Sequence, residues 1–133
     1  RWIAWERDWQ RANLEAIIAR ARVYDSTMTI VLAGMEVPPN LGPRYASAFR
    51  ALFRDLARSE HLPLIPFLLE GVGGVDSLNQ ADGIHPTPAG HRIVAENVWR
   101  VVGPVMERTG RRASALVRSR AGGPGSGFAR RVL

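Results

Sequence analysis

The scaffold of this chain begins with one short run, Thr27-Met28-Thr29-Ile30-Val31-Leu32-Ala33-Gly34. The run is nearly all apolar and rich in β-branched residues, which is typical of a strand in a parallel sheet that is covered on both faces. Residues 35–43 follow it with three prolines and predict a loop at the carboxyl end of that strand. Ligands of α/β proteins bind at this end of the sheet, so the loop is a candidate binding segment.

Two further elements complete a strand–helix–strand unit. Apolar residues recur at helical spacing from Tyr45 to Leu56, with arginines on the other faces. A second apolar run, residues 62–69, contains two prolines and predicts a short strand or one near a sheet edge. Strand, helix and strand with short connections form a right-handed βαβ unit, so the predicted fold class is α/β with a short parallel sheet and flanking helices.

Helices are predicted on either side of this unit. One covers residues 2–20, and its apolar residues form a single stripe: Trp2, Trp5, Trp9, Leu14, Ile17 and Ile18. A tryptophan stripe could mark a partner or membrane surface, but this spacing favours a face buried in the core. Another helix is predicted after Thr87, a good N-cap, with Pro88 as its first residue, and Gly103-Pro104 is expected to end it early.

The basic charge of the chain lies in its C-terminal tail. Seven of the 18 arginines and none of the 12 acids fall in residues 108–133, so residues 1–107 are nearly neutral although the net charge is +6. The tail is rich in arginine, alanine, serine and glycine and predicts disorder. We therefore expect one α/β domain in residues 1–107 and a disordered basic tail in 108–133. Few aromatic residues interleave with the arginines, so nucleic acid is not a predicted partner.

Features that the sequence lacks exclude several functional classes. The chain has no cysteine, which excludes disulfides, thiolate metal sites and cysteine nucleophiles. No run approaches the roughly 18 apolar residues that a membrane span requires. The chain begins at Arg1 rather than Met, without a charged and then apolar leader, which indicates a fragment or a processed form and leaves the compartment unknown.

The candidate catalytic residues lie in Asp82-Gly83-Ile84-His85-Pro86, on a loop just before a predicted helix. With Asp82 three residues before His85, the carboxylate can bind one imidazole nitrogen, fix the tautomer and leave the other nitrogen to take a proton from a hydroxyl. In the alternative, Asp82 binds backbone N–H groups of a capped turn and His85 merely packs. The spacing by itself does not decide between the two.

This segment, with Pro88 to His91 after it, resembles the last conserved block of the SGNH (GDSL) hydrolases. Residues 30–35, the loop to residue 45, residues 64–67 and residues 13–17 resemble the thioesterase I/arylesterase branch of that family. The resemblance covers residues 11–103 and implies part of a three-layer, flavodoxin-like α/β fold that hydrolyses esters or thioesters. No cofactor or metal is implied.

The same resemblance implies the roles of individual residues. His85 would be the general base and Asp82 its orienting acid, while Met35, Pro38 and Asn40 would contact the substrate. The family's nucleophilic serine lies in a Gly-Asp-Ser block, and a glycine and an asparagine from two later blocks complete the oxyanion hole. None of those blocks is present in this chain. Ser26 superficially resembles the serine block but precedes the wrong strand, so it is rejected as the nucleophile.

The other two histidines carry weaker hypotheses. His91 could join Asp82 and His85 as a metal ligand, because three nitrogen or oxygen ligands make an open zinc site. Its place in the first turn of a helix favours ordinary packing instead, so no metal site is predicted. His61 opens a turn and is expected to be solvated.

Two functional hypotheses follow. In the first, the chain is the C-terminal portion of an ester or thioester hydrolase that carries the Asp–His pair but lacks the nucleophile, and it is inactive alone. In the second, it is a non-catalytic binding or interaction domain derived from that fold. Under either hypothesis a sheet of two strands leaves an apolar edge exposed, so the chain would associate with itself or with the missing N-terminal half.

Overall fold

The computed structural model describes residues 2–37 and 39–121, without the side chains of residues 2–7, 39, 120 and 121. Within these ranges three helices alternate with two short parallel strands, as expected for an α/β protein. In chain order they are α1 (Trp2–Tyr24), β1 (Leu32–Ala33), α2 (Pro43–Ser59), β2 (Leu64–Ile65) and α3 (Pro88–Ala121). Single 3-10 turns lie at Pro39–Leu41 and Asp76–Leu78.

The two strands form the predicted parallel pair, with Leu32 beside Leu64 and Ala33 beside Ile65. The Leu32 N–H donates to the Pro63 carbonyl at 2.9 Å. Both strands are much shorter than the apolar runs that predicted them, residues 27–34 and 62–69. A strand is defined by its hydrogen-bonded partner, and in the described residues partners exist only where the two runs meet.

Helix α2 supplies most of the core, as its apolar spacing predicts. Its residues Leu52, Phe53, Leu56 and Ala57 are buried in one cluster with Ile18 of α1 and Leu32 of β1. The Phe53 ring meets the Phe49 ring edge to face at a centroid distance of 5.3 Å. One helix face therefore holds α1 and the sheet together, and this fixes the carboxyl end of the sheet from which the site is built.

The tryptophan stripe on α1 is only partly a core face. Ile18 is 4% exposed, whereas Trp9 is 60% and Ile17 is 64% exposed, so the prediction of a buried stripe was wrong for these two residues. Trp9 and Ile18 are nine residues apart, about two and a half helical turns, and therefore point to opposite sides. The side of α1 that carries Ile18 is the one that faces the core. The side chains of Trp2 and Trp5 lie outside the described residues.

The start of α3 agrees with prediction and its end does not. The Thr87 hydroxyl accepts the Gly90 N–H at 3.3 Å, which caps the helix, and Pro88 is its first residue. The prediction that Gly103-Pro104 ends the helix was wrong, because α3 continues to Ala121 with Pro104 inside it. A proline removes one backbone donor, and the helix-forming residues after it, including an ion pair of Glu107 with Arg111 at 3.6 Å, continue the helix.

The chain separates into two units, Arg1–Val102 and Gly103–Leu133. The first contains the sheet, α2 and the core cluster. The second continues α3 past residue 108, where the sequence predicts the tail to begin, and the rest of that tail, residues 122–133, lies outside the described residues. In residues 2–37 and 39–121, no helix combines the length and apolar character that crossing a membrane needs.

Candidate active site

The candidate site is carried by the connection between β2 and α3, which leaves the carboxyl end of the sheet. The Leu68 N–H donates to the Gly34 carbonyl at 3.0 Å, just after both strands end. Gly34 itself is pressed against the backbone of Pro66, where a Cβ atom would overlap the Pro66 carbonyl. The connection is therefore packed directly against the end of β1, the position where α/β folds bind ligands.

Residues 80–86 form a loop that is closed at its base by main-chain hydrogen bonds. The Gln80 N–H donates to the His85 carbonyl and the Thr87 N–H donates to the Leu78 carbonyl, both at 2.8 Å. At the tip, Gly83 has φ 69° and its N–H donates to the Gln80 carbonyl. Glycine adopts this left-handed conformation at little cost, so the chain reverses between Asp82 and His85.

Asp82 and His85 are hydrogen-bonded to each other through their side chains. Oδ2 of Asp82 lies 2.7 Å from Nδ1 of His85. The other oxygen, Oδ1, accepts the backbone N–H groups of Ile84 at 2.9 Å and His85 at 3.0 Å. The carboxylate therefore binds the imidazole, as the catalytic arrangement predicts, and the same carboxylate also caps the turn.

The His85 side chain does not pack into the core, because 70% of it is exposed, against 45% for Asp82. With Nδ1 bound to a carboxylate, the ring is oriented by Asp82 and its Nε2 is the nitrogen left to exchange a proton. In the part of the chain that the structure describes, Nε2 has no hydrogen-bond partner. The ring is held on one side and accessible on the other.

Hydrogen bonds lower the pKa of the Asp82 carboxyl from 3.8 to about 2. The largest cause is the backbone N–H of His85, followed by the His85 side chain and the backbone N–H of Ile84. Each of these donors favours the charged form of the carboxyl group. Asp82 is thus an anion over the whole pH range in which an imidazole changes its charge, and it can stabilise an imidazolium at His85.

The predicted substrate residues lie in the segment that follows β1. Met35 is 37% exposed, and Asn40 is exposed within the 3-10 turn. Glu36 in the same segment binds Arg50 of α2 at 3.3 Å, which ties the segment to the core helix. Pro38 lies outside the described residues, and a substrate-binding role for Met35, Pro38 and Asn40 stays a prediction.

Ser26 lies before β1, at the amino end of the sheet, whereas the loop of Asp82 and His85 leaves from the carboxyl end. The nearest acid in sequence, Asp25, accepts the N–H and the hydroxyl of Thr27 at 2.8 and 2.6 Å. These bonds lower the pKa of Asp25, the side-chain bond most. The arrangement is a capped turn and supplies no base to Ser26.

The remaining histidines are both exposed, which was expected for His61 but not for His91, where packing was favoured. His61 adopts φ 54° in the turn after α2, and His91 lies in the first turn of α3. In residues 2–37 and 39–121, no group of three histidine, aspartate or glutamate side chains is arranged to hold a metal ion.

Sequence reasoning missed two buried asparagines that brace the connection. Asn97 of α3 is 4% exposed, and its amide donates to the carbonyls of Leu68 at 3.2 Å and Glu70 at 2.8 Å. Asn97 could have been noticed in the sequence, because it is a polar residue beside Val94 and Val98, which belong to the apolar side of α3. Asn79 lies at the base of the loop and has no such periodic signal.

The fold and the site define a class of protein. The model of the GDSL-like lipase/acylhydrolase family matches residues 2–93. The match spans more than half of the chain, and the chain belongs to this family. The resemblance of the sequence to this family is thereby confirmed, and the named relatives below are consistent with its thioesterase I branch.

Individual proteins of known name are also similar to this chain. The chain is 43% identical over 94 residues to the esterase TesA of Pseudomonas aeruginosa, covering 71% of this chain and 46% of that protein. It is 33% identical over 76 residues to thioesterase 1/protease 1/lysophospholipase L1 of Escherichia coli K12, covering 57% of this chain and 36% of the relative. A crystal structure of TesA superposes with a TM-score of 0.68 at 41% identity, covering 74% of this chain and 53% of that one. The matched part of the chain spans between 36% and 53% of the length of these relatives.

Proposed function

We propose that this chain supplies the acid and the base of a serine hydrolase that acts on acyl esters or thioesters. The observation that carries the proposal is the 2.7 Å contact between Asp82 and an exposed His85, on a loop of the connection that leaves the carboxyl end of the sheet. Membership of the GDSL-like lipase/acylhydrolase family supports it, since the relatives it matches bear the names esterase and thioesterase.

Under this proposal each group has a role. His85 takes a proton through Nε2 from a serine hydroxyl as the serine oxygen attacks the acyl carbonyl. The Asp82 carboxylate holds the ring by Nδ1 and stabilises the imidazolium that forms. His85 then gives the proton to the leaving alcohol or thiol. In the second half of the reaction it activates the water that releases the acyl group from the serine.

The serine and the oxyanion donors are proposed to come from polypeptide beyond these 133 residues. The sequence contains no Gly-Asp-Ser block and no later glycine and asparagine blocks of the family. A base without its nucleophile has nothing to activate, and removing one member of a serine triad removes most of its rate enhancement. The purified chain is therefore expected to hydrolyse short aryl esters and acyl-CoA thioesters no faster than solution does.

A chimera tests the proposal directly. The region of Pseudomonas aeruginosa TesA that this chain matches is replaced by the corresponding part of this chain, and hydrolysis of p-nitrophenyl butyrate and butyryl-CoA is measured. We expect an active chimera in which His85→Ala lowers kcat by about 10⁴-fold or more. Asp82→Asn is expected to lower kcat by a comparable factor of about 10⁴, because the imidazole loses its orienting anion.

His91→Ala is the matched control, since His91 is also exposed and lies just beyond the loop but is not bonded to Asp82. It should leave kcat unchanged. An active chimera that tolerates His85→Ala would contradict the proposal. A folded chimera without activity would favour the non-catalytic binding domain instead.

A further inference from the structure

Asn79 is a buried polar residue that the hydrolase chemistry leaves without a role. Its side chain belongs to a residue that is only 8% exposed. The amide nitrogen donates to two main-chain carbonyls, that of Val72 at 2.7 Å and that of Val75 at 2.9 Å. Val72 is itself completely buried, so Asn79 is tied to a buried point of the connection.

The backbone of Asn79 lies at the base of the loop that carries Asp82 and His85. Asn79 forms an antiparallel bridge with Pro86, the residue directly after His85. Its neighbours close the same base: Leu78 accepts the Thr87 N–H, and the Gln80 N–H donates to the His85 carbonyl. The side chain of Asn79 therefore anchors one of the residue pairs, Asn79 with Pro86, at which the two ends of the loop are joined.

The other side-chain contacts at the base of the loop are also polar: those of Gln80 and Thr87 donate to the carbonyls of Pro86 and Leu78, at 3.2 Å each. Residues 80–85 are all exposed, including Ile84 at 70%, so the loop gains almost nothing from apolar burial. A segment with few buried contacts depends on its polar contacts to stay ordered. The main-chain bonds at its base join residues that are close in sequence. They close the loop, but they position it only if the base is held by another part of the connection.

We propose that Asn79 is a positioning residue that holds the base of the 80–86 loop. It thereby keeps the Asp82 carboxylate within hydrogen-bond distance of both the backbone N–H and the imidazole of His85. The inference rests on the proposed function for its catalytic meaning. Its structural content is independent, because it concerns the geometry of a pair that can be measured in this chain without any substrate.

Asn97 offers a matched control. It is also a buried asparagine, 4% exposed, and its amide also donates to two carbonyls, those of Leu68 and Glu70. It braces the start of the connection rather than the base of the loop. Replacing either asparagine by leucine keeps the side-chain shape and removes the two hydrogen bonds that its amide donates. Asn97→Leu also removes the bond that its Oδ1 accepts from Arg100, so it is the more disruptive of the two changes and a strict control.

The test is a carbon-13 NMR titration of the Asp82 carboxyl in the folded 133-residue chain, with and without each variant. In the parent chain we expect a pKa of about 2, below the ordinary 3.8. Asn79→Leu should raise the pKa of Asp82 towards 3.8, since the three donors no longer converge on the carboxylate. Asn97→Leu should leave the pKa of Asp82 where it is in the parent chain, even though it lowers Tm.

The inference is overturned if Asp82 keeps its low pKa in Asn79→Leu, or if Asn97→Leu raises it equally, which would indicate general loosening. Where Asn79→Leu lowers Tm too far for a titration, Asn79→Ser gives the same readout with a smaller disturbance of the core. The activity of the chimera and the pKa of Asp82 in this chain are separate measurements, so an inactive chimera would not imitate either outcome of the titration. The two proposals can therefore fail separately.

Discussion

Oδ2 of Asp82 lies 2.7 Å from Nδ1 of His85, and Oδ1 of the same carboxylate lies 3.0 Å from the backbone nitrogen of His85. One carboxylate thus holds both the ring and the main chain of a single residue. A ring held in this way loses little further freedom when a proton passes through its other nitrogen, which is what general base catalysis requires. The turn at Gly83 makes this double contact possible.

The tautomer of His85 follows from this contact. In Asp82→Asn the Oδ1 atom can still cap the turn, but the second group becomes an NH₂, which cannot accept a hydrogen bond from the Nδ1–H group. We expect nitrogen-15 NMR of the neutral ring to show the proton on Nδ1 in the parent chain and mainly on Nε2 in the variant. Asp25→Asn is the control, because that carboxylate caps a turn at Thr27 without touching a histidine. An unchanged tautomer in Asp82→Asn would contradict the assignment.

Order in the loop should depend on pH in one direction. The pKa of Asp82 is lowered from 3.8 to about 2 on folding, so its ionised form stabilises the folded loop above pH 3.8. That stabilisation is lost as the pH falls through about 2, where the folded carboxyl takes up its proton. Amide exchange at Ile84 and His85, expressed relative to the intrinsic exchange rate at each pH, should accelerate across this window in the parent chain. Asp82→Asn should show no such acceleration, and a midpoint near 3.8 in the parent chain would be the contrary result.

Gly90 sets how closely α3 approaches the loop base. A Cβ atom there would overlap the Leu78 carbonyl and lie 3.0 Å from Cβ of Pro86 and 3.2 Å from Val72. Gly90→Ala should therefore destabilise the fold by about 1–3 kcal/mol in urea denaturation. Gly110→Ala, in the same helix with nothing within 4 Å, should instead stabilise it by up to about 1 kcal/mol through helix propensity. Equal effects of the two substitutions would show that the close contact is absent.

Local features of the site could be predicted from the sequence, and those that depend on distant partners could not. The Asp82–His85 contact spans three residues around a glycine, and the Thr87 cap spans three more, so each is decided by nearby chain. Asn79 gave no signal because its partners are carbonyls, which every residue has. Trp9 was placed in the core because an apolar stripe does not say which side of a helix the rest of the chain covers.

The lengths of the strands also depend on distant partners and could not be predicted from the sequence. Residues 27–34 were correctly assigned to a parallel sheet from their β-branched, apolar composition, but only Leu32–Ala33 form a strand. Hydrogen-bonded pairing requires a neighbour, and the extent of that neighbour is not written in the run itself. Composition therefore predicted the fold class well and the length of the strands poorly.

The free edge of β1 leads to a last prediction. The N–H groups of Leu32 and Gly34 point to β2, so those of Val31 and Ala33 point to the opposite edge, where the described residues contain no third strand. An open edge with apolar side chains pairs readily with another chain. We expect the purified chain to self-associate in sedimentation velocity at tens of micromolar. Val31→Pro removes a donor from that edge without removing a bond to β2, and should shift the chain towards monomer. A parent chain that is monomeric and unfolds in one sharp thermal transition would show that the edge is already protected.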